Sequence, residues 1–155
     1  MNTRILAALL ALCIVIIICV LCIAVIDNNK EPNVAVETHL DGIILEIKEN
    51  TVTTKGLTVI LKNTTPRKYV YGVSFFVEEK RDDGWQRVPY IVDNFGWISI
   101  GYTLEGYSTR EQEIFWEGCY GELSPGNYRI IKDICYVREP GDYDEFNVSA
   151  EFIID

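Results

Sequence analysis

Short runs in which apolar and polar residues alternate fill the chain beyond residue 26, as in "IILEIKE" and "GLTVILKN". A period of two is that of a β-strand, and no stretch beyond residue 26 keeps the i, i+3, i+4, i+7 pattern of an amphipathic helix. Clusters of Gly, Pro, Asn and Asp between the runs indicate turns. Seven or eight strands in about 120 residues predict an all-β fold, an antiparallel β-sandwich.

The alternation also predicts which side chains face the core. One long strand is expected over "YVYGVSFFVEEK", and the turn "KRDDGW" leads from it into a second strand, "WQRVPYIV". The predicted core residues are Ile43, Leu45, Ile47, Leu57, Val59, Leu61, Tyr71, Val73, Phe75, Val77, Ile114, Trp116, Phe146, Val148, Ala150 and Phe152.

A tyrosine corner is predicted where Leu123, Pro125, Gly126 and Tyr128 precede the apolar strand "NYRIIKDICYV". In immunoglobulin-type sandwiches the hydroxyl of this tyrosine bonds to the backbone of the preceding corner. We expect Pro125 to fix φ and Gly126 to adopt a positive φ. Ile130 stands where an antibody domain carries a buried cysteine, so the core is expected to lack an inter-sheet disulfide.

Two long stretches carry a resemblance to a known family: "KNTTPRKYVYGVSFFVEEKRDDGWQRV" and "GYTLEGYSTREQEIFWEGCYGELSPGNYRIIKDI", followed by the terminal "SAEFII". With the Gly-Trp turn at Trp85 and with Trp116 ahead of the "YGELSPGNYRI" motif, the chain resembles the bacterial immunoglobulin-like domain of Gram-positive surface proteins. The resemblance covers roughly residues 36–155. It implies an immunoglobulin-like sandwich in a membrane-attached or secreted protein, and it specifies no ligand.

The N-terminal residues 5–26 form an apolar run without charge, Gly or Pro. As a helix the run would be about 33 Å long, enough to cross a bilayer core. A cleavable signal peptide has a shorter apolar core and a small-x-small cleavage site, whereas this run ends in bulky Val25 and Ile26. We therefore expect one uncleaved transmembrane helix, a signal anchor, ahead of the sandwich.

The charges flanking this run predict the topology. Arg4 places residues 1–4 in the cytoplasm, which leaves a linker at 27–35 and the domain at 36–155 on the extracytoplasmic side of the cell membrane. A lipid-modified cysteine is the alternative anchor. It requires a small residue before the cysteine, whereas the cysteines of the run follow bulky residues: Cys13 follows Leu12, Cys19 follows Ile18 and Cys22 follows Leu21.

The charge balance limits the partners. The formal net charge is −9, and all the acidic residues follow residue 26. An acidic surface repels phosphate backbones, so nucleic acid is not expected as a partner. Solubility alone accounts for such a charge, and an acidic docking face is the alternative.

Few residues suit catalysis or metal binding. His39 is the only histidine, so no pair of His ligands exists for zinc. No nucleophile elbow, phosphate-binding Gly loop or HExxH motif occurs. The acidic groups in "RDDG" and "EPGDYDE" match no calcium-loop spacing and are expected in solvated hairpins. We therefore expect no enzymatic activity, no metal and no cofactor.

Cys119 and Cys135 are the only cysteines beyond the apolar run. An extracytoplasmic compartment permits a disulfide between them. However, about 26 Å of strand separates the start of "NYRIIKDI" from its end, so a bridge requires Cys119 to lie well back along the preceding strand. A redox role is not indicated, because neither cysteine has a CxxC partner or a basic neighbour.

An aromatic segment is the strongest candidate for a binding surface. Aromatic residues on sandwich loops often anchor protein or carbohydrate partners. The alternative is that Trp97 and Tyr102 cap the open edge of the core. The candidate binding residues are Tyr90, Phe95, Trp97, Tyr102 and Tyr107.

The leading functional hypothesis is a non-enzymatic binding module whose partner is a protein or another component of the bacterial cell envelope. A β-sandwich protease inhibitor, which presents a rigid loop to an enzyme, is a second hypothesis. A hydrolase is a third, and it is disfavoured because the sequence offers no convergent catalytic groups.

Overall fold

The computed structural model describes residues 39–155 of the chain. The predicted cytoplasmic residues 1–4, transmembrane helix at 5–26 and linker at 27–35 lie outside the described residues. Within the described part, no helix is long and apolar enough to cross a membrane.

Nine strands and one short helix make up the described part of the chain. In chain order they are β1 (Ile43–Ile47), β2 (Gly56–Asn63), β3 (Tyr69–Gly72), β4 (Phe76–Arg81), β5 (Gly84–Arg87), β6 (Gly101–Leu104), β7 (Thr109–Phe115), α1 (Glu117–Tyr120), β8 (Gly126–Glu139) and β9 (Asp142–Ile154).

The strands form two antiparallel sheets. The smaller sheet has the order β1-β2-β7. In the larger sheet β8 is central, with β9 along one side and both β3 and β4 along the other. Beyond them, β6 pairs with β3 and β5 pairs with β4. This is the predicted antiparallel sandwich, with nine strands rather than seven or eight.

Side chains from both sheets meet in one apolar core. Val59 of the smaller sheet and Ile130 of the larger are fully buried, as is Trp116. The Trp116 indole N–H donates a hydrogen bond of 2.8 Å to the Thr54 carbonyl, and its ring stacks on Phe152 with centroids 5.6 Å apart. All the predicted core residues are buried except Ile47, Val73, Phe146 and Ala150, which are partly buried.

The extra strand arises because the long strand predicted over "YVYGVSFFVEEK" is interrupted at residues 73–75. Lys132 of β8 is fully buried there, and its ammonium donates hydrogen bonds to the carbonyls of Gly72 and Ser74, at 2.6 and 2.7 Å. These carbonyls turn to the lysine instead of continuing the ladder, so β3 and β4 are separate strands. Val73, inside the break, is consequently only partly buried.

The Tyr128 hydroxyl donates a hydrogen bond of 2.9 Å to the carbonyl of Ser124, four residues upstream. Leu123 is buried, and Pro125 is exposed just before β8. The expected positive φ at Gly126 was wrong, because Gly126 is not among the described residues with positive φ. Glycine allows close packing there, since a Cβ would lie 3.1 Å from the Tyr128 ring and would displace it slightly.

Two elements differ from the predicted ones. The strand expected over "WQRVPYIV" ends at Arg87, two residues before Pro89, whose ring nitrogen cannot donate to a ladder. Where no helix was expected, the amides of Cys119 and Tyr120 both donate to the Trp116 carbonyl and form α1. This single turn buries the side chains of Cys119 and Tyr120, which stabilises it without any capping side chain.

Candidate functional site

Residues 88–100 connect β5 to β6 without regular secondary structure, and we call them the β5–β6 segment. Pro89 interrupts strand pairing, and Asn94 adopts a positive φ of 55° that reverses the chain. The amide of Ile91 donates a hydrogen bond of 2.9 Å to the carbonyl of Cys119 and attaches the segment to α1. The segment therefore lies against the domain instead of extending away from it.

Three aromatic side chains of the segment pack inward. Tyr90 stacks on Tyr120 with centroids 4.9 Å apart, and Phe95 lies 4.7 Å from Tyr90. Trp97 lies 4.8 Å from Phe95 and 4.7 Å from Phe75, which is buried. We call these five residues the aromatic cluster. Its members are in contact with the core, so the cluster closes this side of the sandwich.

Hydrogen bonding inside the aromatic cluster is incomplete. The Trp97 indole N–H donates to the Tyr90 hydroxyl at 3.2 Å. The Tyr120 hydroxyl is buried and has no hydrogen-bond partner among the described residues. Burial, together with the nearby Tyr90 hydroxyl, raises the pKa of Tyr120 well above its usual value, so the phenol stays neutral. The contacts of the cluster are those of packing.

Val88 packs against the core, whereas the other four aliphatic side chains of the same segment point outward. Ile91 and Ile98 are 65% and 66% exposed, and Val92 and Ile100 are exposed as well. We call these four residues the aliphatic patch. Asp93 is the only charged residue between Val88 and Leu104. Several exposed aliphatic side chains in a stretch with a single charged residue are features of an interaction surface.

Of the five predicted binding residues, three pack inward and two are exposed in separate places. Tyr90, Phe95 and Trp97 belong to the aromatic cluster. Tyr102 is exposed on β6, where its ring lies 5.6 Å from that of its cross-strand partner Tyr71. Tyr107 is exposed in the turn between β6 and β7, with a φ of 54°, and no ring contact joins it to the aromatic cluster within residues 39–155.

Sequence reasoning missed the aliphatic patch, because it searched this segment for aromatic residues alone. The sequence "WISI" does carry the relevant signal. In an extended chain Ile98 and Ile100 point away from the side that Trp97 faces, so the three side chains cannot all face one core. It also missed Lys132, although strict alternation places this residue on the same face of β8 as the buried Ile130 and Ile134.

A buried ion pair on the outer face of the larger sheet was likewise missed. The Arg129 guanidinium donates a hydrogen bond of 2.6 Å to the carboxylate of Glu78, which is buried. The same guanidinium lies 4.9 Å from the ring centroid of Trp85, and the Lys80 ammonium lies 5.3 Å from it. Trp85 therefore covers the pair and stabilises this face rather than forming part of the β5–β6 segment.

The cysteines lie in separate places and are both free thiols. Cys119 is buried in α1, and its thiol contacts the Trp116 carbonyl at 3.4 Å. Cys135 lies on β8 opposite Val70. Burial raises the pKa of both thiols, so little nucleophilic thiolate forms at neutral pH.

No group of His, Cys, Asp and Glu within residues 39–155 could hold a metal ion. His39 lies 2.8 Å from Asp41 in an exposed pair. In the β8–β9 hairpin, Arg138 pairs with Asp142 and Asp144 and lowers the pKa of both carboxyl groups. These acidic residues therefore have an arginine partner, in a solvent-exposed hairpin.

Comparison with solved structures gives distant similarities. One is self-complemented MyfA, the major subunit of Myf fimbriae from Yersinia enterocolitica, in complex with galactose: 14% identity, a TM-score of 0.36, and coverage of 73% of this chain and 98% of that one. Another is a PapD-like domain of human CEP192, with 15% identity, a TM-score of 0.32, and coverage of 79% and 93%. At such TM-scores neither similarity bears on function. Comparison with curated proteins gives no match.

A family model agrees with the fold. The model of the bacterial Ig-like domain matches residues 39–153, which covers the described strands except for the last residue of β9. The match confirms the resemblance to a bacterial immunoglobulin-like domain. The chain belongs to the bacterial Ig-like domain family.

Proposed function

We propose that this Ig-like domain is a non-enzymatic binding module of the bacterial cell envelope and that the aliphatic patch contacts its partner. The main support for this proposal is the way the β5–β6 segment divides its side chains between core and solvent. The β5–β6 segment packs its aromatic side chains against the core, yet it leaves Ile91 and Ile98 in solvent. Packing therefore does not account for the outward residues, whereas an interface does.

Membrane attachment is part of the proposal. It rests on the uncharged apolar run at residues 5–26, which is long enough to span a bilayer. We expect protease added to intact cells to release the domain by cutting after about residue 30. A mature protein that begins near residue 27, detected by N-terminal sequencing, would contradict the anchor.

The protease-inhibitor hypothesis requires a protruding, rigid loop that offers a side chain to an enzyme. The β5–β6 segment is instead attached to α1 through the Ile91 amide and to the core through Trp97. No specific observation among the described residues favours inhibition, so we do not propose it.

The binding proposal is tested with a photo-cross-linking residue placed at Ile98 in intact cells. Ile153 on β9 is the matched control, since it is exposed to a similar extent, 61%. We expect one discrete adduct from position 98 and none from position 153. Equal labelling from both positions, or none from position 98, would contradict the proposed surface.

A further inference from the structure

Five strands lie at the edges of the two sheets, and four of them carry charged residues. Edge strands are commonly protected in this way, because charge opposes pairing with a further strand. Glu46 lies on β1, Arg87 on β5, Glu111 on β7 and Glu151 on β9. β6, with the sequence GYTL, is the one described edge strand without any charged residue. It lacks proline as well.

The main chain at this edge is available for pairing. β6 pairs with β3 on one side, and no described strand pairs with its other side. In the part of the chain that the structure describes, the amides of residues 92–99 donate no hydrogen bond to another main-chain group. Just before the edge, the Ile100 amide donates to the Ile98 carbonyl at 3.0 Å, so the main chain available to a partner is that on the outer side of β6 together with these unpaired amides.

Apolar side chains flank the same edge. Ile98 and Ile100 precede β6 directly, and Tyr102 is exposed on the strand itself. Proteins bind extended peptides at such edges. The unpaired main chain pairs with that of the peptide, and pockets or surfaces beside it receive alternate side chains of the peptide. A helical partner would satisfy its own main-chain groups and leave those of β6 unpaired.

We propose that the free edge of β6 binds an extended peptide segment of another protein by strand addition. The segment would alternate apolar residues, which meet Ile98, Ile100 and Tyr102, with polar ones. It would lack acidic residues, because this chain has a net charge of −9 and repels acidic partners, a second copy of itself included. This inference rests on the proposed binding function and specifies the form of its partner.

The test uses the full-length chain in lipid nanodiscs and a phage-displayed library of random twelve-residue peptides, with empty nanodiscs for subtraction. Enriched peptides should alternate apolar residues and be depleted in Asp and Glu. Ile98→Lys combined with Ile100→Lys should weaken their binding at least about thirtyfold. Ile153→Lys, at an equally exposed position of β9, should leave it unchanged.

Backbone methylation of the best peptide separates strand addition from simple apolar docking. N-methylation at successive positions should abolish binding at every second residue, because alternate amides of an added strand face the edge. An N-methyl scan without this period, or a library without enriched peptides, would overturn strand addition while leaving the cross-link at Ile98 intact. A dimer found by sedimentation that the double variant abolishes would identify a second copy as the occupant and would overturn the proposed partner.

Discussion

At the scale of single residues, the corner at Tyr128 shows how one hydroxyl connects a loop to a strand. Tyr128→Phe removes the donor to the Ser124 carbonyl and keeps the ring. We expect a loss of about 1 kcal/mol in the free energy of unfolding, measured by urea denaturation, because a partly buried hydrogen bond is lost. Tyr143→Phe, at an exposed position of β9, is the control and should be neutral. Equal midpoints for the two variants would contradict this role of the corner.

Lys132 makes stability depend on pH. Burial lowers its pKa from 10.5 to about 8, which the neighbouring Asp133 partly opposes. Well below pH 8 the lysine is protonated whether the chain is folded or unfolded. Between about pH 8 and 10.5 the unfolded chain binds more protons, so this residue raises the free energy of unfolding as pH rises.

Lys132→Met should remove this increase of the unfolding free energy with pH. Other groups, such as the buried thiols and tyrosines, titrate in both proteins, so their contributions cancel in the difference. From pH 8 to 9.5 the free energy of unfolding of the wild type should increase relative to that of the variant by about 1–2 kcal/mol. A difference that is constant over this range would show that the ammonium is not buried in the folded state.

At the scale of elements, the sequence predicted the strands wherever apolar alternation was unbroken. β2, β7, β8 and β9 follow their predicted runs. Prediction failed where a tertiary contact overrides local pattern. The break between β3 and β4 depends on Lys132, sixty residues from Gly72 in sequence, and local alternation carries no information about it.

The candidate site was predictable only in part, for the same reason. The sequence shows that the β5–β6 segment is rich in aromatic residues, but it does not show which way their side chains point. Trp97 packs inward because Phe75 lies beside it, and Ile98 is then left outside. Which residues of an irregular segment face the core depends on neighbours from distant parts of the chain.

The close approach of β2 to β7 depends on the glycine at position 56. Gly56 lies opposite Phe115, and a Cβ at Gly56 would lie 2.4 Å from the Ile114 carbonyl oxygen. Gly56→Ala should therefore separate the strands locally and cost about 1–3 kcal/mol in unfolding free energy. Gly118→Ala in α1, where no heavy atom lies within 4 Å, should be neutral or slightly stabilising. Equal urea midpoints would contradict the close approach.

At the scale of the whole molecule, the domain combines an acidic surface with one uncharged edge. Apart from β6, the edge strands of both sheets carry charge, and the β5–β6 segment closes the sandwich with its aromatic side while exposing its aliphatic side. In the proposed function the two sides of this segment have different roles. The inward side supplies stability, and the outward side binds.

The most direct measurement compares alanine variants of adjacent residues for both properties. Trp97→Ala should lower the free energy of unfolding by about 2 kcal/mol or more, because it removes packing from the core. Ile98→Ala should change stability by less than about 0.5 kcal/mol and weaken binding of the cross-linked partner at least about thirtyfold. If Ile98→Ala leaves binding unchanged, or loses binding only in proportion to stability, the outward side is not a binding surface.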